Sequence, residues 1–105
     1  VNVNLDLVHR ALADEIRRTI LARLRTGEPV PLSALAETIA ASEISTEVTS
    51  SVETLRVELY HVHVPLLCDA GLLEYDDRRS AVVLTDLGGE VESKLLRPSV
   101  EVAQG

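Results

Sequence analysis

The chain has no Phe, no Trp and no Met, only two Tyr, and a single Cys. Any core must therefore be assembled from Leu, Val, Ile and Ala, filling space with small branched side chains instead of rings. Cys68, being alone, excludes an internal disulfide, and its place among Leu66, Leu67 and Ala70 reads as a buried thiol. Basic charge is scarce as well. Ten Lys and Arg stand against 17 Asp and Glu, a net charge of -7, and Lys94 is the one lysine. No apolar run approaches the roughly 20 residues that cross a bilayer, and the first residues lack the charged-then-apolar order of a signal peptide. The expectation is a cytoplasmic protein without a membrane segment. A nucleophile elbow, a phosphate loop, an HExxH string and opposed carboxylates are also missing, so the residues predict neither an enzyme nor a bound cofactor.

What is present suffices for one hydrophobic core. At 105 residues the chain is large enough for a single domain and too short for two. A hydrophobic fraction of 46% and a mean hydropathy of +0.15 exclude wholesale disorder. An acidic surface keeps a protein soluble by self-repulsion, a device of salt-adapted proteins. The scarcity of Lys and the aliphatic core fit a halophilic archaeal proteome.

Apolar spacings of three and four predict helices over about 4–12 and 15–26, the second capped by Asp14 and ended by Gly27. Pro29 and Pro31 restrict 28–31 to an extended connector or edge strand. Ser33 is expected to cap a short helix over 34–41, followed by a polar loop over 42–51. Val52, Leu55, Leu59, Val62 and Leu66 then form a clean stripe, predicting a long helix over about 50–70 that Gly71 stops. Pro65 lies inside it and removes a hydrogen bond, at a cost of about 3 kcal/mol unless compensated, so a kink or break is expected near 61–64. Strands over 72–75 and 81–84 flank the turn residues Asp76 to Ser80. Thr85 or Asp86 can cap a last helix carrying Val91, Leu95 and Leu96, weakened by Gly88 and Gly89 and ended by Pro98.

This order of helix, helix, connector, helix, long helix and hairpin predicts a mainly α fold with a small β-wing, a winged helix-turn-helix domain over 1–85, with a C-terminal helix and loose tail over 86–105. The string LYHVHVPLLCDAGLLEYD, with LSALAETIA upstream, resembles a haloarchaeal winged-helix family of uncharacterised function. It is more distantly similar to archaeal and bacterial winged-helix repressors, in which the recognition helix ends in a His, two leucines and Asp-Ala-Gly before the wing. The resemblance spans about residues 8–85 and implies a regulatory role. In that comparison the stretch before the tyrosine tends to be basic, whereas SSVETLRVE holds only Arg56.

Contacts to double-stranded DNA require donors and positive charge facing phosphates. The candidates are Ser33, Thr49, Ser50, Thr54, Arg56, His61, Arg78 and Arg79. Against them, 26–55 contains no Lys or Arg and five Glu. In high salt this objection weakens, because counterion release contributes little there. Arg78 and Arg79 either grip phosphate or pair with Asp76 and Asp77, and Arg56 either faces DNA or engages Glu53 or Tyr60. Arg10, Arg17, Arg18, Arg23 and Arg25 read as a solvated face partnered by Asp14 and Glu15, or as a strip for phosphate or a partner. His61 and His63, two apart on a helix, point about 200° apart and cannot share a metal ion unless a break at Pro65 brings them together with Cys68. His63 is expected to pack inward on a carbonyl freed by Pro65, with His61 exposed. Leu5, Leu7, Val8, Leu95 and Leu96 are left over for a homodimer interface. The reading is a DNA-binding regulator acting as a homodimer; the alternative is an interaction module whose acidic helix docks a protein partner.

Overall fold

The computed structural model describes residues 3–42 and 51–96. Within them the fold is mainly helical with one small three-stranded antiparallel sheet. Helix α1 (Leu5–Leu12) is capped by Asn4, whose side chain accepts from the Leu7 amide at 3.1 Å. Asp14 caps α2 (Glu15–Arg23) in the same manner, accepting from Ile16 at 2.7 Å. Such caps satisfy amides that have no partner within the helix and contribute about 1 kcal/mol each.

The second helix stops three residues earlier than its periodicity suggests. Leu24 turns extended and buries its side chain, and Thr26 bridges to Leu84. Gly27 at φ +82° then donates its amide to the Leu84 carbonyl at 3.0 Å. Backbone pairing to a strand thus outcompetes one more helical turn. Strand β1 (Val30–Pro31) follows on the sheet edge, where a proline costs no ladder bond.

Helix α3 (Leu32–Ala41) begins one residue before the expected cap. Its N-cap position is Pro31, no side chain caps it, and Ser33 lies in its first turn. The Leu32 amide is satisfied instead by the Ser80 carbonyl at 2.8 Å, which ties the start of α3 to the hairpin turn.

The long helix starts at α4 (Val52–Glu58), with Ser51 as its cap, passes through a π-helical turn (Leu59–His63) and ends as α5 (Val64–Asp69). A proline ring at 65 collides with the carbonyl of residue 61 in a regular α-helix. Widening that turn, with the Val64 amide donating to the Leu59 carbonyl, absorbs the collision without a sharp break. The expected distortion is there, as an inserted π turn.

Gly71, at φ +83°, closes the helix in a left-handed conformation that costs glycine nothing. Strands β2 (Leu73–Asp76) and β3 (Ala81–Leu84) pair antiparallel, Leu73 opposite Leu84 and Asp76 opposite Ala81, with β1 on the other edge of β3. Thr85 caps α6 (Asp86–Val91) by accepting from the Gly88 amide, and donates its hydroxyl to the Gly71 carbonyl at 2.7 Å. A second π-helical turn (Glu92–Leu96) follows.

One core joins these elements. Ile20, Leu21, Leu35, Ile39, Leu55, Leu59, Leu67, Leu72, Leu73 and Val82 are its largest fully buried side chains. Val8 is 2% exposed and belongs to this core, not to a free face, because α1 turns it toward the rest of the fold. Leu7 and Leu96 are half-buried against the same cluster, while Leu5 and Leu95 remain exposed. Cys68 is half-buried instead of fully buried as its neighbours suggest, and burial with the nearby Asp69 and Glu74 pushes its thiol pKa up, which favours the thiol over the thiolate.

Candidate functional site

The first turn of α3, the long helix and the hairpin turn enclose an open groove of about 560 Å³. Ser33 enters it from α3, Arg56 and Tyr60 from the long helix, and Tyr75, Asp77, Arg79 and Ser80 from the hairpin. Three candidates that lie far apart in sequence, Ser33, Arg56 and Arg79, therefore share one surface. Their meeting depends on the sheet pairing and on the Leu32 to Ser80 hydrogen bond, which hold the hairpin turn against α3.

Both arginines are held by carboxylates. Arg56 binds Glu53 one turn earlier through two hydrogen bonds, with Nη2 at 2.5 Å from Oε2. This bond holds the Glu53 carboxyl below its ordinary pKa and raises that of Arg56. Arg79 Nε lies 3.7 Å from Asp76 Oδ2, a looser exposed pair, and Asp76 also accepts from the Arg78 and Arg79 amides. Exposed pairs of this kind contribute little to stability, so either guanidinium exchanges its carboxylate for another anion at small cost.

Other candidates lie elsewhere. Thr54 is exposed on the first turn of α4, where its amide and hydroxyl both engage Ser51. Arg78 is exposed on the hairpin turn outside the groove. His61 is exposed too, but lines an adjacent, more apolar depression of about 330 Å³ with Val64, Pro65 and Cys68. Thr49 and Ser50 fall outside the described residues.

No spacing in the sequence marks the partition between the two depressions. Tyr60 and Tyr75 are the chain's only aromatic residues, and their rings meet edge to face with centroids 5.7 Å apart. Both tyrosines line both depressions. Tyr60 also meets the His61 ring edge to face. Ser80 adopts φ +49°, uncommon for a residue with a side chain, and places its carbonyl toward Leu32.

Arg17 corrects the reading of the basic strip. It is 9% exposed, and its guanidinium reaches the Ala11 carbonyl at 2.9 Å, the Arg10 carbonyl at 3.1 Å and His63 Nδ1 at 3.1 Å. His63 does pack inward, but its partner is this guanidinium and not a carbonyl freed by Pro65. Arg10, Arg18, Arg23 and Arg25 are exposed, and Arg18 donates to the Leu12 carbonyl at 2.7 Å. Asp14, expected to pair with this strip, spends its carboxylate on the α2 cap. Among the described residues no cluster of three or more His, Cys, Asp or Glu could hold a metal ion, and no helix is long and apolar enough to cross a membrane.

No curated protein and no solved structure matches the chain significantly. One family model does match, over residues 9–83, a span from within α1 to within β3 that holds the groove residues and the Arg17–His63 pair. The chain belongs to that family, described as a domain of unknown function, DUF7344.

Proposed function

We propose that the protein is a winged-helix DNA-binding regulator, acting as a homodimer in a salt-rich cytoplasm, with the long helix as its recognition helix and the hairpin as its wing. The observation that carries this reading is the convergence of Ser33, Arg56 and Arg79 on one open groove between α3, the long helix and the hairpin. A phosphate placed there meets two guanidinium groups and the Ser33 and Ser80 hydroxyls, which is the chemistry of backbone positioning on a duplex, against the single opposing carboxylate of Asp77. The tyrosine pair walls one side of the groove.

A second reading has its own observation. Glu53, Val57, Glu58 and Val62 are all exposed on the long helix, and two carboxylates there repel phosphate but suit a basic protein partner. The two readings separate by titrating labelled duplexes, the protein's own upstream region against a scrambled control, in molar KCl and following fluorescence anisotropy. For a regulator, saturable binding is expected on the native duplex alone. Arg56→Ala and Arg79→Ala should each weaken it about tenfold, the loss of one charge-assisted contact. Unchanged affinity in both variants would remove the groove from the DNA reading, and absence of binding by folded protein would favour the interaction module.

A further inference from the structure

The Arg17 guanidinium joins three helices at one point. Its Nε and Nη2 satisfy carbonyls at the end of α1, its own backbone belongs to α2, and Nη1 meets His63 on the π-helical turn. Arginine cannot give up its proton in a protein, so Nη1 is always the donor and His63 Nδ1 must accept. The contact therefore requires an uncharged imidazole, with its proton on Nε2. It lies in the same turn as Tyr60, whose ring packs on Tyr75 and lines the groove.

We propose that the Arg17–His63 contact is a proton-operated latch on the groove: neutral His63 ties the π-helical turn to α1 and α2, and protonation turns Nδ1 into a donor facing a donor and releases that turn together with Tyr60. This deepens the DNA-binding reading by naming a regulation of its site, and it rests on that reading only for its effect on DNA. A wide π turn beside a proline is a suitable place for such a device, since its backbone is already displaced from the regular helix.

The charged groups acting on His63 come from each side. Burial and Arg17 oppose its proton, whereas Asp14 at the α2 cap and Glu58 at the end of α4 favour it. Burial is the largest of these influences, and the imidazole pKa is lowered from its ordinary value. The α1 end contributes the Arg10 and Ala11 carbonyls, which hold Arg17 in place whether or not His63 is charged.

The test follows His63, Tyr60 and Tyr75 ring resonances by NMR in the full chain from about pH 8 to about pH 5, the range over which imidazoles titrate. His63 should titrate at a lower midpoint in the folded protein than in the urea-unfolded chain, and the Tyr60 signals should move with that same midpoint. Because the Tyr60 ring also touches the His61 ring, the comparison is made in a His61→Asn background; there His63→Asn, whose amide oxygen offers an acceptor near the Nδ1 position without titrating, should abolish the Tyr60 response while the fold persists. Arg17→Met should raise the His63 midpoint; should that variant fail to fold, His63→Asn still decides the question. Native-duplex affinity should fall about tenfold across the transition in the wild type and stay level in His63→Asn. Tyr60 signals that ignore the His63 midpoint, or that titrate unchanged in His63→Asn, overturn the latch. Duplex binding indifferent to that midpoint overturns its regulatory role. Tyr60 tracking His63 in a protein that binds no duplex at any pH supports the latch and overturns the DNA reading instead.

Discussion

A methyl group at position 88 would collide with the Leu72 carbonyl oxygen and crowd Leu84, so the glycine there is a matter of space. The obstacle is backbone, which cannot rotate aside. At Gly89 the nearest atom is the Thr26 hydroxyl, the end of a side chain that can turn away. Gly88→Ala is therefore expected to lower stability by about 1–3 kcal/mol, the usual cost of overpacking, and Gly89→Ala by much less. Urea unfolding of the two variants tests this, and equal midpoints would mean that α6 shifts freely on the core. His63 supplies a second residue-scale expectation. Its pKa is lowered in the fold below the ordinary 6.5. Above that ordinary value both folded and unfolded chains hold it neutral and its contribution to stability is complete. As pH falls through the ordinary value the unfolded chain takes up the proton first, so stability declines, and the decline ends once pH is below the folded value. The urea midpoint of the wild type should fall more steeply across that window than that of His63→Asn; parallel curves would show that His63 bears no linkage.

At the scale of elements, local signals were legible where one residue type dictates the backbone. Gly71 stops the long helix, Asp14 caps α2, Thr85 and not Asp86 caps α6, and the prolines at 29 and 31, which allow an extended connector or an edge strand, lead to the edge strand β1 between α2 and α3. Serine favours a cap in isolation, but at Ser33 that preference is overridden, because the Ser80 carbonyl, 48 positions from Leu32, already satisfies the first free amide of α3. Tertiary hydrogen bonding displaced the local preference. The same cause ended α2 early, through Thr26 and Gly27 pairing with Leu84. Pro65 announced a distortion but not its form, since a kink and a π turn relieve the same collision. Of the candidate site, residue types were legible and their assembly was not. Nothing in the spacing of Ser33, Arg56 and Arg79 predicts a shared groove, and Arg17 among four exposed arginines carries no local mark of burial. The buried pair is made across 46 positions, beyond the reach of helical periodicity.

For the whole molecule, charge sets the terms of association. Each chain carries a net charge of -7, so two copies repel one another before any contact forms. The apolar residues exposed at the two ends of the described chain, Val3 at 43%, Leu5 at 63% and Leu95 at 54%, are what a homodimer would bury. Two or three side chains alone cover far less than the roughly 800 Å² per partner of a standard interface, so polar and charged surface must come together with them. The chain as a whole is acidic, and the repulsion between copies decays over about 10 Å at 0.1 M salt and about 3 Å at 1 M. Dimerisation should therefore strengthen with KCl instead of weakening, the opposite of an interface held by ion pairs. Light scattering coupled to size exclusion is expected to give a mass near twice 11.4 kDa in molar KCl and to drift toward 11.4 kDa as salt is removed. Leu5→Asp with Leu95→Asp should hold the monomer mass at every salt concentration while leaving the core untouched, because both side chains face outward. A wild type that remains at 11.4 kDa in molar KCl would discard the homodimer, and a duplex would then have to be bound by one groove at a time.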